Sequence, residues 1–240
     1  MSPVEGTRLR ILHLLQRWGE ATVGRLAREL GLAPTSVRRH LDVLQRDHLA
    51  SFREVRKRTG RPEHTYFLTE AGQEVLPKGY QSLLDRLMHH LLQLRGDDLQ
   101  GLEGPALVSL LLDRIAGELA VGASTRNGHD PEERLDALHT LLAREQFAPE
   151  VVRQGETVRV LLHNCPFRAV ARHQHLMCRL DERLIGLMLQ ANVQRERCVL
   201  ADDHVCCYSA SLLPPQGEGS EARPTQSLTP SPEGVSPLPR

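Results

Sequence analysis

Aromatic residues are scarce in this chain, with one Trp, three Tyr and four Phe among 240 residues. Lysine occurs only at Lys57 and Lys78, so Arg supplies nearly all the positive charge, a bias that points to a GC-rich genome rather than to a mechanism. No apolar run approaches the roughly 20 residues needed to span a bilayer. Met1 to Arg10 carry no apolar signal region, so the expected location is the cytoplasm. A Gly-rich phosphate loop, a G-x-S-x-G elbow and the paired H-x-E and P-C-x-x-C pattern of deaminases are all missing, which argues against an enzyme. Cysteine is absent before Cys165, yet five cysteines fall between residues 165 and 207. Cytosolic thiols are kept reduced, so this grouping points to a metal or a redox-sensitive site rather than to structural disulfides.

A chain of this length makes two domains the natural expectation. The formal net charge of zero hides a division: residues 1–80 hold 14 Lys+Arg against 9 Asp+Glu, leaving 16 against 21 in the remainder. The positive excess lies in the half whose pattern suggests DNA binding.

In that half, Leu9, Leu12, Leu15 and Trp18 recur at helical spacing until Gly19. Thr22 suits the N-cap of a second helix that buries Val23, Leu26, Ala27 and Leu30 and turns at Gly31. Pro34 opens a third, with Val37, Leu41 and Leu44 inward. Residues 50–55 and 64–68 then read as strands joined by a basic tip from Arg56 to Pro62. Together these make a winged helix-turn-helix. Thr35, Ser36, Arg38 and Arg39 are expected at the major groove, with Arg56, Lys57, Arg58 and Arg61 of the wing at phosphates or a minor groove.

The segment Gly60-Arg61-Pro62-Glu63-His64-Thr65-Tyr66-Phe67-Leu68-Thr69-Glu70-Ala71-Gly72 resembles the wing and following helix start of winged-helix bacterial regulators. That resemblance implies a homodimer on double-stranded DNA with an inverted-repeat operator. An apolar stripe on residues 80–94, Leu83, Leu84, Leu87, Met88, Leu91 and Leu92, either forms the dimer contact or packs on its own domain.

Beyond this, helices are expected near residues 105–120 and 131–146, with loops at 96–105 and 122–131, the first a candidate hinge. A strand at 157–162 would deliver His163-Asn164-Cys165-Pro166 to a turn. A helical stretch with Leu180, Leu184 and Leu187 would follow, and then a closing strand pair at 197–200 and 205–210. From Leu213 onward Pro, Ser and Gly dominate, as in a disordered tail. The expected fold class is α+β: a winged helix-turn-helix domain (1–78), a candidate dimerisation helix (79–95), a mixed α/β cluster-binding sensor domain (96–212) and the tail (213–240).

Cys165, Cys178 and Cys207 stand as C-x12-C-x28-C. A straight helix would part the first two by about 20 Å, so the chain must fold back between them, near His173-Gln174-His175. Close cysteine pairs typical of zinc sites are missing apart from Cys206-Cys207. The residues alone leave three readings open: an iron–sulfur cluster, zinc or a thiol switch, and inert buried thiols. His163-Asn164-Cys165-Pro166-Phe167, then Cys178, then Cys207-Tyr208, resembles the carboxy-terminal domain of the SufR family of winged-helix iron–sulfur repressors. The resemblance covers the chain to about Ala210. It implies Cys165, Cys178 and Cys207 as ligands of an iron–sulfur cluster, 4Fe-4S in preference to 2Fe-2S, and repression of cluster-assembly genes under control of cluster occupancy. Family members with four cysteines would place another at position 192, where this chain has Asn192. Cys198, Cys206, His163, His173, His175, Glu196 and Asp203 are the nearby candidates for the remaining ligand. The alternative function is a zinc- or thiol-redox-responsive winged-helix regulator.

Overall fold

In the computed structural model, the described residues are 6–56, 62–123, 130–201 and 203–212. The first unit comprises α1 (Thr7–Trp18), β1 (Glu20–Thr22), α2 (Val23–Leu30), α3 (Pro34–Arg46), β2 (Ala50–Val55), β3 (Glu63–Leu68) and α4 (Glu70–Val75). The Thr22 side chain caps α2 by accepting from Arg25 N at 3.3 Å, and Gly31 follows the helix in the left-handed region at φ 67°. Both are where the sequence predicts them. Pro34 sits in the first turn of α3, where its missing N–H leaves no bond unmade. Val37, Leu41 and Leu44 are completely buried with Ile11, Leu12 and Leu26, joining the three helices into one apolar cluster.

The antiparallel sheet β1-β3-β2 closes this cluster. The three-residue β1 escapes a sequence reading because it is too short to show a period of two. The α4 start is capped by Thr69, whose hydroxyl donates to His48 O at 2.6 Å and accepts from Gly72 N at 3.0 Å.

Next come α5 (Tyr80–Leu92), α6 (Gly96–Leu99), α7 (Gly104–Ala123) and α8 (Pro131–Arg144). The candidate hinge at 96–105 contains the short α6, tied down where Arg114 donates to Asp98 at 2.7 Å. The sensor half continues with β4 (Pro149–Gln154), β5 (Thr157–Leu162), α9 (Arg168–Ala171), a 3-10 turn (His175–Met177), α10 (Cys178–Leu189), β6 (Val193–Arg197) and β7 (Cys206–Ser211). Its sheet is antiparallel in the order β4-β5-β7-β6. The inner face, Val158, Val160, Leu162, Cys206, Tyr208 and Ala210, shares a core with α7, α8 and α10.

Two strand expectations need correction. The closing pair begins at Val193 rather than Arg197, and residues 199–201 form a turn in which Ala201 N donates to Cys198 O at 2.8 Å. Strand β4 is missing from the sequence reading altogether. Both are edge strands: β6 is almost wholly exposed, and β4 opens with Pro and carries no buried residue, so neither shows apolar alternation. Lys57, Arg58 and Arg61 of the wing, most of the loop at 122–131 and all of the expected tail (213–240) lie outside the described residues. Among the described residues no helix is long and apolar enough to cross a membrane.

Candidate functional site

The exposed side of α3 begins with Thr35, Ser36, Arg38 and Arg39, all open to solvent opposite the buried Val37 and Leu41. A groove of about 520 Å³ runs beside it, lined by Val23 and Gly24 of α2, Pro34 and Arg38 of α3, and Pro62, Glu63, His64 and Tyr66 of the wing. Burial, with Asp42 nearby, raises the Tyr66 hydroxyl above the usual tyrosine pKa, while Arg38 opposes the shift. In the wing, Phe52 stacks on His64 at 4.2 Å between ring centroids, and Arg53 of β2 pairs with Glu20 of β1. Arg56 is exposed at the end of β2. A protruding helix with Arg at its start, beside a stiffened hairpin, has the shape and charge to enter a major groove while the wing meets the backbone.

The second constellation joins this reader to the cysteines. Asn164, in the loop after β5, is 4% exposed and uses its whole amide. Its Oδ1 accepts from Gln16 Nε2 of α1 at 2.8 Å and from Lys78 Nζ at 3.4 Å. Its Nδ2 donates to Pro77 O at 2.8 Å and to Gln146 O at 2.6 Å. Lys78 also donates to Cys165 O at 3.3 Å, and Gly79 N donates to Pro166 O at 3.1 Å. A Cβ at Gly79 would stand 2.9 Å from the Phe167 ring, so the two segments touch with no room between them. Arg168 grips Glu70 of α4 through two hydrogen bonds, and Arg172 adds an ion pair at 2.7 Å. The Arg168 hydrogen bond is the main influence holding the Glu70 carboxyl below its usual pKa. Tyr80 bridges the halves, donating to Glu74 at 2.9 Å and accepting from Ala169 N at 3.0 Å.

Directly after this clasp lie the thiols. Cys165 is half-buried in the loop, Cys178 is buried at the start of α10, Cys198 is half-buried just after β6, and Cys206 is buried at the start of β7. No continuous helix joins Cys165 to Cys178, since α9 ends at Ala171 and the 3-10 turn starts at His175. Burial, reinforced by Asp181, pushes the Cys165 and Cys178 thiols up to about 12, and the Cys206 thiol also rises strongly. Cys178 and Cys206 each feel the charges of Cys165 and Cys198, so ionising one thiol opposes ionising the next. The Cys206 sulfur accepts from Val199 N at 3.4 Å. Asp181, fully buried, accepts from Tyr208 Oη at 3.1 Å, and burial raises its pKa to about 7.

Cys207 does not join this group. Strand register pairs Cys206 with Leu162 and Cys207 with Leu161. Alternation therefore sends Cys206 into the core and Cys207 to the other face. There its sulfur donates to Glu196 at 3.5 Å, and Glu196 in turn pairs with Arg159 at 3.4 Å. Cys206 thus lies on the core face of β7 and Cys207, expected as a ligand, on its outer face. Glu196 shares the outer face with Cys207. His163 turns toward Glu150 at 3.2 Å, leaving its Nδ1 buried without a hydrogen bond. Asp203 is engaged by Cys198 N at 3.0 Å.

Residues 5–51 match the family model described as bacterial regulatory protein, arsR family. No curated protein and no solved structure matches the chain. The arsR-type match runs from just before α1 to the start of β2, and so contains the Thr22 cap, the Gly31 turn and all of α3. It is a match to a DNA-binding regulatory domain, not to an enzymatic one. The thiols and the clasp lie beyond it.

Among the described residues no three His, Cys, Asp or Glu side chains converge closely enough to hold one metal ion. A single zinc would need its donors to close to about 2.3 Å from one point. An iron–sulfur cluster places its cysteines on different irons, so its thiolates are spread around a cage. Cys165, Cys178, Cys198 and Cys206 stand on four separate segments of the sensor half.

Proposed function

We propose that the chain is a cytoplasmic transcriptional repressor of iron–sulfur cluster assembly genes, binding an inverted-repeat operator as a homodimer with an affinity set by cluster occupancy. The observation that carries this reading is the shared loop. Asn164 anchors the reader through Gln16 and Pro77, and the very next residue, Cys165, packs half-buried against the sensor core. Anything that pulls on Cys165 therefore pulls on the α1 end and the α4–α5 junction of the reader. Two arrangements of this junction with different operator affinities make a switch, because the occupant binds one arrangement better than the other.

When bound, a cluster would supply four positive-centred attachment points for thiolates, a soft-ligand match to iron. The chain's own residues do the remainder. Lys78 and Asn164 hold the loop, Phe167 seals it against Gly79, and Arg38 and Arg39 meet the DNA.

The test is operator affinity of protein handled without oxygen, before and after iron removal, at one fixed salt concentration because phosphate contacts dominate binding. A change of tenfold or more supports the switch. Equal affinities would sink it and leave an iron-independent DNA binder.

A further inference from the structure

The wing hairpin runs on past the core of the first unit, and its inner face there carries side chains that packing does not use. Ala50, Phe52 and Glu54 of β2 oppose Leu68, Tyr66 and His64 of β3, so all six share one face. Ala50, Tyr66 and Leu68 are buried, whereas Phe52 and Glu54 are exposed and His64 is half-exposed. We infer that the cleft between this face and α3 seats a DNA phosphate with His64 as its proton-dependent ligand, so that operator binding takes up a proton. This rests on the DNA-binding half of the reading above and not on its iron–sulfur half.

The cleft, about 520 Å³, has Arg38 of α3 on one wall and His64 and Tyr66 of the wing on the other. A DNA strand passing between helix and wing therefore meets both walls. His64 is positioned before any DNA arrives: its ring lies 4.2 Å from that of Phe52 and 22° from parallel, and its Nε2 stands 3.4 Å from Glu54 Oε1. The carboxylate places the proton of the neutral ring on Nε2. That leaves Nδ1 with a bare lone pair, which cannot bond a phosphate oxygen. In the protonated ring Nδ1 becomes a donor beside a full positive charge, while Nε2–H stays with Glu54.

Around this ring, among the described residues, stand Glu54 of β2, Glu63 of β3, and Arg38 and Asp42 of α3, with only the uncharged Val23 and Gly24 from α2. Burial raises the Tyr66 hydroxyl above the usual tyrosine pKa, so Tyr66 stays neutral where histidine changes charge. Duplex DNA brings one negative charge per about 1.7 Å of its axis, and a negative charge nearby favours the protonated imidazole. One proton passes from solvent to Nδ1 as the phosphate arrives, and no bond to carbon or change of oxidation state is involved.

The experiment uses the full chain, with every sample handled alike with respect to iron. The probe is a duplex enriched by the parent protein from a randomised pool about 30 base pairs long, three turns of DNA. Affinity is measured by fluorescence anisotropy at about pH 6 and about pH 8, each over a salt series. The parent is expected to bind roughly fivefold or more tightly at the lower pH. His64→Phe keeps a ring against Phe52 but cannot titrate, and should lose most of that response. His64→Arg, charged at both pH values, should also respond little, with a salt slope steeper than that of His64→Phe by about one. A parent indifferent to pH, or a His64→Phe variant that responds as the parent does, would overturn the inference. If His64→Phe does not fold, as judged by melting, His64→Gln takes its place and is judged by the same pH response. A pool from which no duplex is enriched overturns the DNA reader itself, which separates that failure from a wrong role for His64.

Discussion

Arg38 and Arg39 carry the most direct residue-scale prediction. They project from the first turns of α3 while the same helix buries Val37 and Leu41, so their truncation removes contacts without touching the core. A bidentate Arg–guanine contact discriminates by about 1–3 kcal/mol. The double variant Arg38→Ala with Arg39→Ala is expected to lose specific operator binding by tenfold or more in fluorescence anisotropy, with an unchanged melting temperature. Leu41→Ala should do the opposite. Its site is completely buried, so a cost of roughly 2–5 kcal/mol is expected, read as a lower melting temperature ahead of any effect on DNA. At this scale the sequence was fully legible for α2 and α3, because Thr22, Gly31 and Pro34 each have a local conformational reason for their positions. It was not legible for Cys206 against Cys207. Both are buried, and only the pairing of β7 with β5, a contact between segments far apart in the chain, decides which sulfur faces inward.

Between elements, the informative unit is the clasp of the β5–α9 loop on the reader. Asn164→Ala would leave Gln16, Pro77 O and Gln146 O short of partners in a buried setting. The expected cost is on the order of 2–4 kcal/mol. Differential scanning calorimetry should register it, and the response of operator affinity to iron removal should shrink. Gly79→Ala drives a methyl into Phe167 and should weaken the same coupling with all Asn164 hydrogen bonds retained. Normal coupling in both variants would show that the loop is only structural. None of these contacts could be read from sequence, which offers no signal for a side-chain amide shared by three elements. The edge strands β4 and β6 were missed for a different reason: solvent on their exposed faces removes the alternation on which a strand reading depends.

Across the whole molecule, α5 has two sides. Leu83 is buried and Leu87 packs against the sensor core, whereas Leu84, Met88, Leu91 and Leu92 remain exposed. Both alternatives read from the stripe therefore have residues to serve them. The paired variant Leu84→Glu with Met88→Glu is expected to halve the mass in light scattering and to reduce operator affinity, because two half-sites about 34 Å apart need two readers held together. An unchanged mass would move the dimer contact off α5. Arg86 to Glu145 at 3.2 Å and His90 to Glu118 at 2.9 Å fix the helix against the sensor, so a dimer built on α5 would carry both sensors with it.

The Gln16–Asn164 bond also orders events during synthesis. Its two residues are 148 positions apart, and a ribosome adding roughly 5–20 residues per second needs on the order of ten to thirty seconds to deliver the second after the first. Once residue 51 is made, the segment matched by the arsR-family model is complete in sequence but has no clasp, and Gln16 has no amide to meet. A nascent chain stalled before residue 164 would therefore present a DNA reader free of the clasp. Truncation there should yield a fragment whose operator affinity no longer depends on iron.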